Sequence, residues 1–146
     1  MMTLQELSDR REIDDLLIRY CHAIDTHDWD LLDTVFTPDA EIDYTVFGGP
    51  AGRYQPEIRA FLADALPRAA YAQHAISTSR ILLDGDRATG STICTNPMGM
   101  PQPDGTVHHV TYHLWYIDEI TRTPQGWRLT RRSEKVSHVD NPVPGR

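Results

Sequence analysis

Apolar residues recur at helical spacing early in the chain. Ile13, Leu16, Leu17, Tyr20 and Ile24 mark one buried stripe. Ahead of it, Thr3 and Glu6 have the spacing of a capping box, in which each side chain satisfies the other's free backbone amide. The pattern predicts a first helix ending near Asp25 or Thr26. Asp28 is placed to cap a short second helix carrying Trp29, Leu32, Val35 and Phe36, closed by Pro38. A period of two then takes over in Glu41–Phe47, with Ile42, Tyr44 and Val46 on one side and Asp43 and Thr45 on the other. Gly48–Gly52 breaks that strand. Pro56 suits a first helical turn, and Ile58, Phe61, Leu62, Ala65 and Leu66 predict a third helix that stops near Pro67.

The rest reads as strands. His74–Leu83 and Arg87–Asn96 flank Asp84-Gly85-Asp86, a hairpin signal because Gly85 tolerates positive φ. A loop is expected over Pro97–Gly105, then a long strand from about Val107 to Ile120. A turn near Pro124–Gly126 precedes a last strand from Trp127 to about Val139, and residues 141–146 read as a loose tail. Two helices, a strand, a helix and four strands argue for one α+β domain over 1–146. It is expected as a cone-shaped α+β barrel, a curved antiparallel sheet wrapped around three helices. Such a cone has an open mouth suited to a small ligand.

Composition narrows the function. With 14 Lys and Arg against 21 Asp and Glu, the formal charge is −7, which repels phosphate backbones and disfavours nucleic acid as a partner. No apolar run approaches the roughly 20 residues that cross a bilayer, and no leader pattern opens the chain. Cys21 and Cys94 form no Cys-x-x-Cys pair and read as core thiols of a reducing cytoplasm. His108, His109 and His113 share a strand, where residues four apart lie roughly 13 Å from each other and neighbours face oppositely. They therefore do not share an ion. No Gly-rich phosphate loop is present, so no metal and no cofactor are expected.

Four polar residues fall on segments patterned for burial: Tyr20 and Asp25 on helix 1, Tyr44 on the first strand, and His74 opening the second. Each alone fits a core residue or a cap. An Asp and a His facing one cavity differ, because together they supply an oriented, basic imidazole. Two Tyr hydroxyls nearby can donate to a carbonyl or an oxyanion. Asn96 and Tyr112 are candidate pocket liners, as is Trp115; apolar walls are expected from Leu17, Phe61, Ile76 and Trp115 or Tyr116. Arg131 and Arg132 point oppositely, so one of the two is expected to face inward and hold a substrate carboxylate or oxyanion, with Arg131 named as the candidate and the choice between them left open; the alternative is a surface ion pair. His22 and His27 are expected to face solvent.

The stretches YCHAIDTHDWDLLDTVFTPDAEIDY and AQHAISTSRILLDGDRATG resemble the SnoaL-like group of the nuclear transport factor 2-like superfamily over nearly the whole chain. Within it, scytalone dehydratase, bile-acid 7α-dehydratase and hexachlorocyclohexane dehydrochlorinase are similar in having a helix-1 Asp followed after about fifty residues by a strand His, here Asp25 and His74. The Tyr five before the Asp and the Tyr of IDY, here Tyr20 and Tyr44, look most like the bile-acid enzyme. Scytalone dehydratase has a Tyr immediately before its Asp, where this chain has Ile24, and a second pocket His where this chain offers Asn96, Pro97 or Met98. The resemblance implies a cofactor-free lyase, a dehydratase of a hydrophobic polycyclic or aromatic hydroxy-carbonyl compound, in a homodimer or higher homo-oligomer. The alternatives are a ketosteroid-type isomerase, a polyketide cyclase or a dehydrohalogenase using the same pair, or a non-catalytic ligand-binding or scaffold domain.

Overall fold

In the computed structural model, which describes residues 1–145, helix α1 spans Leu4–Thr26. Both halves of the capping box form: the Glu6 amide donates to Thr3 Oγ1 at 3.1 Å, and the Thr3 amide donates to the Glu6 carboxylate at 2.6 Å. His27, left-handed at φ 57°, ends the helix by donating its N–H to the Ala23 carbonyl. The expected stripe is buried, and Asp9 and Cys21 are buried with it.

Asp28 caps α2, Trp29–Leu32, through the Leu31 amide at 2.9 Å. That helix is shorter than expected, because Phe36 already opens strand β1, Phe36–Asp43. Pro38 does not close a helix; it sits inside β1 between the two stretches that pair with neighbours, where its missing N–H breaks no ladder bond. The predicted strand end at 44–47 is instead a 3₁₀ turn, Thr45–Phe47, which leaves Val46 exposed. The Tyr54–Ile58 stretch is a π-type turn containing a cis Gln55–Pro56 bond, and helix α3 follows as Arg59–Ala65.

The remaining strands are β2 (Ala51–Arg53), β3 (Tyr71–Ala72), β4 (Ala75–Asp84), β5 (Arg87–Pro101), β6 (Val107–Thr123) and β7 (Gly126–Asp140). They form one sheet in the order β2-β1-β7-β6-β5-β3, with β4 also on β5. Its pairings are antiparallel except for β1 with β7, which is parallel. The Pro/Gly/Met run read as a loop is largely strand, because Pro97 falls where β5 passes the gap between β3 and β4. There the carbonyl of Pro97 accepts from the Gln73 amide at 3.1 Å, and its missing donor is not called on.

One face of the sheet packs on α1. Thr92, Cys94 and Asn96 of β5, Leu114, Tyr116, Asp118 and Ile120 of β6, and Trp127, Leu129 and Arg132 of β7 are all buried. Two irregularities in β7 set what points inward. Thr130 and Ser137 are each skipped in the pairing with β6, so the alternation of faces shifts by one at each. The tail is less loose than expected at its start: the Asn141 side chain donates to the His109 carbonyl at 2.6 Å, and the Asn141 carbonyl pairs with His108 Nε2 at 2.8 Å. Arg146 lies outside the described residues. Among the described residues, no helix is long and apolar enough to cross a membrane.

Candidate active site

Asp25 emerges at the end of α1 and His74 just before β4, and the two are joined twice. His74 Nδ1 lies 2.6 Å from Asp25 Oδ1, and the His74 backbone amide donates to Asp25 Oδ2 at 2.8 Å. The imidazole is nearly buried, at 7% exposure, whereas the carboxylate keeps 21%. A carboxylate that grips both ring and backbone fixes the ring plane and places the Nδ1 proton between the pair, leaving Nε2 as the free lone pair.

Asn96 lies beside them. Ala75 pairs with Thr95 and Gln73 binds Pro97, which brackets His74 against Asn96 in the β4–β5 register. Asn96 is 8% exposed, and its Oδ1 has no hydrogen-bond partner among the described residues. An unpaired buried amide oxygen is costly and marks a position that a ligand can satisfy. Tyr112, opposite Asn96 on β6, is half-buried and packs edge-on against Phe47 at 5.0 Å between centroids.

Toward the other end of the interior, Tyr20 and Tyr44 meet hydroxyl to hydroxyl at 2.9 Å, both buried. Burial pushes the Tyr20 hydroxyl up to about 12, against the pull of Arg132. Burial likewise holds the Tyr44 hydroxyl well above its ordinary value. Both stay protonated, and the pair uses only one of its two protons internally, so one O–H remains to donate. Tyr20 and Asp25 are five residues apart on one helix, about 7.5 Å along its axis.

Arg132, not Arg131, occupies the interior. The skipped Thr130 moves the inward series from Trp127 and Leu129 to Arg132, and Arg131 lines a cleft of about 420 Å³ on the opposite face with Arg80, Leu82, Ile117 and Glu119. Arg132 is held by Asp118 through two bonds of 2.7 and 2.8 Å, both partners fully buried. Its guanidinium lies 4.2 Å from the Tyr20 ring centroid and 3.9 Å from that of Tyr116. Burial works against this charge and the Asp118 carboxylate outweighs it, so the arginine stays charged.

Trp115 is likewise corrected. Leu114 and Tyr116 take the inner face of β6, and strict alternation turns Trp115 outward. Of the other expected walls, Leu17 and Tyr116 are buried, Ile76 is half-buried, and Phe61 sits at 37% exposure.

Sequence reasoning missed Glu134. It shares the inner face with Arg132, pairs with Tyr116 across the ladder, and is half-buried. Burial pushes its carboxyl up to about 7, with Arg132 opposing and Asp43 adding. The only signal in the sequence was its spacing of two from Arg132, and that is readable only once the inward arginine is known. Burial pushes Cys21 up to about 12 and Cys94 to about 11, so both are neutral packing thiols at ordinary pH.

Comparison with known proteins agrees with this geometry at the level of the fold. An uncharacterized protein of Mycobacterium tuberculosis is 44% identical over 135 residues, covering 92% of this chain and 89% of its own. The crystal structure of a Kribbella flavida protein superposes with a TM-score of 0.82 at 28% identity, covering 92% of this chain and 94% of that one. A hexachlorocyclohexane dehydrochlorinase superposes with a TM-score of 0.79 at 20% identity, covering 98% and 99%. Residues 5–133 match the SnoaL-like domain, and the chain belongs to that family.

Proposed function

We propose that the protein is a cofactor-independent dehydratase, a lyase that removes water from a hydrophobic hydroxy-carbonyl compound. The observation that carries this reading is the doubly bonded Asp25–His74 pair, 2.6 Å from ring nitrogen to carboxylate oxygen, inside a largely apolar interior. His74 Nε2 takes the acidic proton beside the carbonyl, or its vinylogous equivalent, while Asp25 holds the tautomer and faces the positive charge the ring acquires. The free hydroxyl proton of the Tyr20–Tyr44 pair binds the carbonyl oxygen as it gains charge. The C–O bond then breaks, and protonated Glu134 gives its proton to the departing hydroxyl to form water. The imidazolium loses its proton to solvent, Glu134 regains one, and the enzyme is restored. Asn96 Oδ1 accepts from a substrate hydroxyl.

A hexachlorocyclohexane dehydrochlorinase shares this fold, which supports an elimination as the class of reaction. The test is to screen β-hydroxy ketones, hydroxysteroids and aromatic polyketide fragments for loss of water. With an active compound in hand, His74→Ala is expected to lose about 10²–10⁴-fold in rate. Asp25→Asn loses somewhat less, and the double variant is little worse than His74→Ala alone, because Asp25 acts through the ring. Wild-type turnover by both single variants refutes the mechanism.

A further inference from the structure

Read along one strand, His108, His109 and His113 are too far apart to share an ion. Pairing across strands changes this for His113. His113 of β6 stands opposite His138 of β7. Arg132, Glu134 and Val136 belong to the inner series of β7, and His138 would continue it if the ladder were regular. The skipped Ser137 instead turns His138 onto the outer face, beside His113, and Asp140 follows two residues later on the same face. Irregularities of this kind re-aim side chains.

We infer that His113, His138 and Asp140 bind one borderline divalent transition-metal ion, zinc foremost, on the outer face of the sheet. Their donor atoms all lie within 4.8 Å of one another. His113 Nε2 is 2.8 Å from Asp140 Oδ2, and His138 Nε2 is 3.7 Å from Asp140 Oδ1. The two imidazoles stack at 4.0 Å between centroids with planes 9° apart, and each has its Nε2 within 4 Å of an Asp140 carboxylate oxygen. A tetrahedral ion with bonds of about 2.0–2.1 Å needs donors roughly 3.3 Å from each other. His138 and Asp140 are exposed and have room to turn, the His138 ring tilting out of parallel so that its lone pair converges with that of half-buried His113.

The backbone beneath is tied down. Asn141, left-handed at φ 52°, clamps the end of β7 to His108 and His109, which holds Asp140 in place without using its carboxylate. Two imidazole nitrogens and one carboxylate oxygen suit zinc, cobalt, nickel or copper better than calcium or magnesium. Binding displaces the proton shared by His113 and Asp140. Three protein donors leave one position to water.

The inference does not depend on the proposed reaction, and its test needs no substrate. The chelator-treated full chain is titrated with zinc against a chromophoric chelator, and with cobalt while visible absorption is recorded. One ion per chain is expected, with cobalt bands of nitrogen and oxygen ligation. His113→Ala, His138→Ala and Asp140→Asn should each weaken binding at least about 10-fold. His22→Ala, on the remote face of α1, should leave it unchanged. All four changes sit at half-buried or exposed positions, and circular dichroism confirms that each variant is folded. Unweakened zinc binding by the His113→Ala, His138→Ala double variant overturns the assignment. So do thiolate-to-cobalt bands, which would place the metal on Cys21 or Cys94, and a ratio of one ion per two chains.

Discussion

Glu134 is the carboxyl that the interior pushes up to about 7, from an ordinary 4.5. Burial raises it first, Arg132 on its own strand opposes, and Asp43 at the end of β1 adds repulsion. The other groups that its charge reaches are Tyr20 on α1, Tyr44 after β1, Cys94 on β5 and Tyr116 on β6, all neutral there. In the proposed reaction it gives up a proton and must enter each cycle protonated, so kcat/KM should decline above pH about 7. Glu134→Gln should be slower by about 10²-fold and lose that alkaline limb, because the amide does not titrate. A pH–rate profile decides this, and an unaltered alkaline limb in the variant removes Glu134 from the reaction. The two arginines separate in the same way. Arg131→Ala should keep activity, whereas Arg132→Ala leaves Asp118 charged and buried, at roughly 3–5 kcal/mol of stability measured by urea unfolding. Asp25 and His74 were legible in the sequence because each broke an apolar pattern at a place where the pattern itself was regular. Arg132 and Glu134 were not, because Thr130 is an ordinary residue and nothing in its chemistry announces that the ladder skips it.

Elements differ in how far local rules carry them. Helix α1 was legible to within a residue, because its capping box, stripe and end are all encoded within the segment. The turn of the β4–β5 hairpin was legible too, where Gly85 takes φ 59°, whereas β5 runs on to Pro101, five residues past its expected end at Asn96. The strand register was not legible, nor was the parallel placement of β1 on β7, since both depend on partners far away in the chain. The loop after β1 shows how an irregular element serves the site. Tyr44 donates its amide to the Pro50 carbonyl at 3.0 Å, and its carbonyl accepts from Gly49 at 3.1 Å, so the loop folds back over it. A side chain at Gly49 would meet Tyr44 Cβ at 2.9 Å and the Tyr44 carbonyl oxygen at 3.1 Å. Gly49→Ala should therefore move Tyr44 off Tyr20 and lower kcat by up to about 10²-fold, the effect of a misplacement near 1 Å. The thermal midpoint should change little, because the loop is peripheral to the core. If kcat holds while the midpoint drops, the contact serves stability and not the hydroxyl pair.

At the scale of the whole molecule, two carboxyls set opposing dependences of stability on pH. Asp9 on α1 accepts two bonds from Arg122 of β6, at 2.7 and 2.8 Å, and one from the Trp127 indole of β7 at 3.2 Å. Arg122 also binds Asp86 at 2.9 Å and lies 4.7 Å from the Trp127 ring centroid, so this one cluster joins the first helix to two hairpins. The Arg122 bonds come first in holding the Asp9 carboxyl down at about 2, below its ordinary 3.8. A depressed carboxyl contributes stability that is complete above its unfolded value and is lost as pH falls through the folded one. The Asp9 contribution should therefore disappear between about pH 4 and pH 2, on the order of 2 kcal/mol. Glu134 runs the other way. Its folded value near 7 exceeds the ordinary 4.5, so its contribution is complete below pH 4.5 and lost as pH rises through 7. Urea unfolding across pH should show stability falling on both sides of a maximum near pH 4 to 5, apart from terms common to all variants. Asp9→Asn should make the acid side alone shallower, the lowered Asp33, Asp43 and Asp104 supplying the remainder, and Glu134→Gln should flatten only the side between pH 4.5 and 7, since the two groups share no partner and their effects add. A Glu134→Gln curve parallel to wild type across that interval would show that the carboxyl is charged in the folded protein at neutral pH. Glu134 could not then be the proton donor.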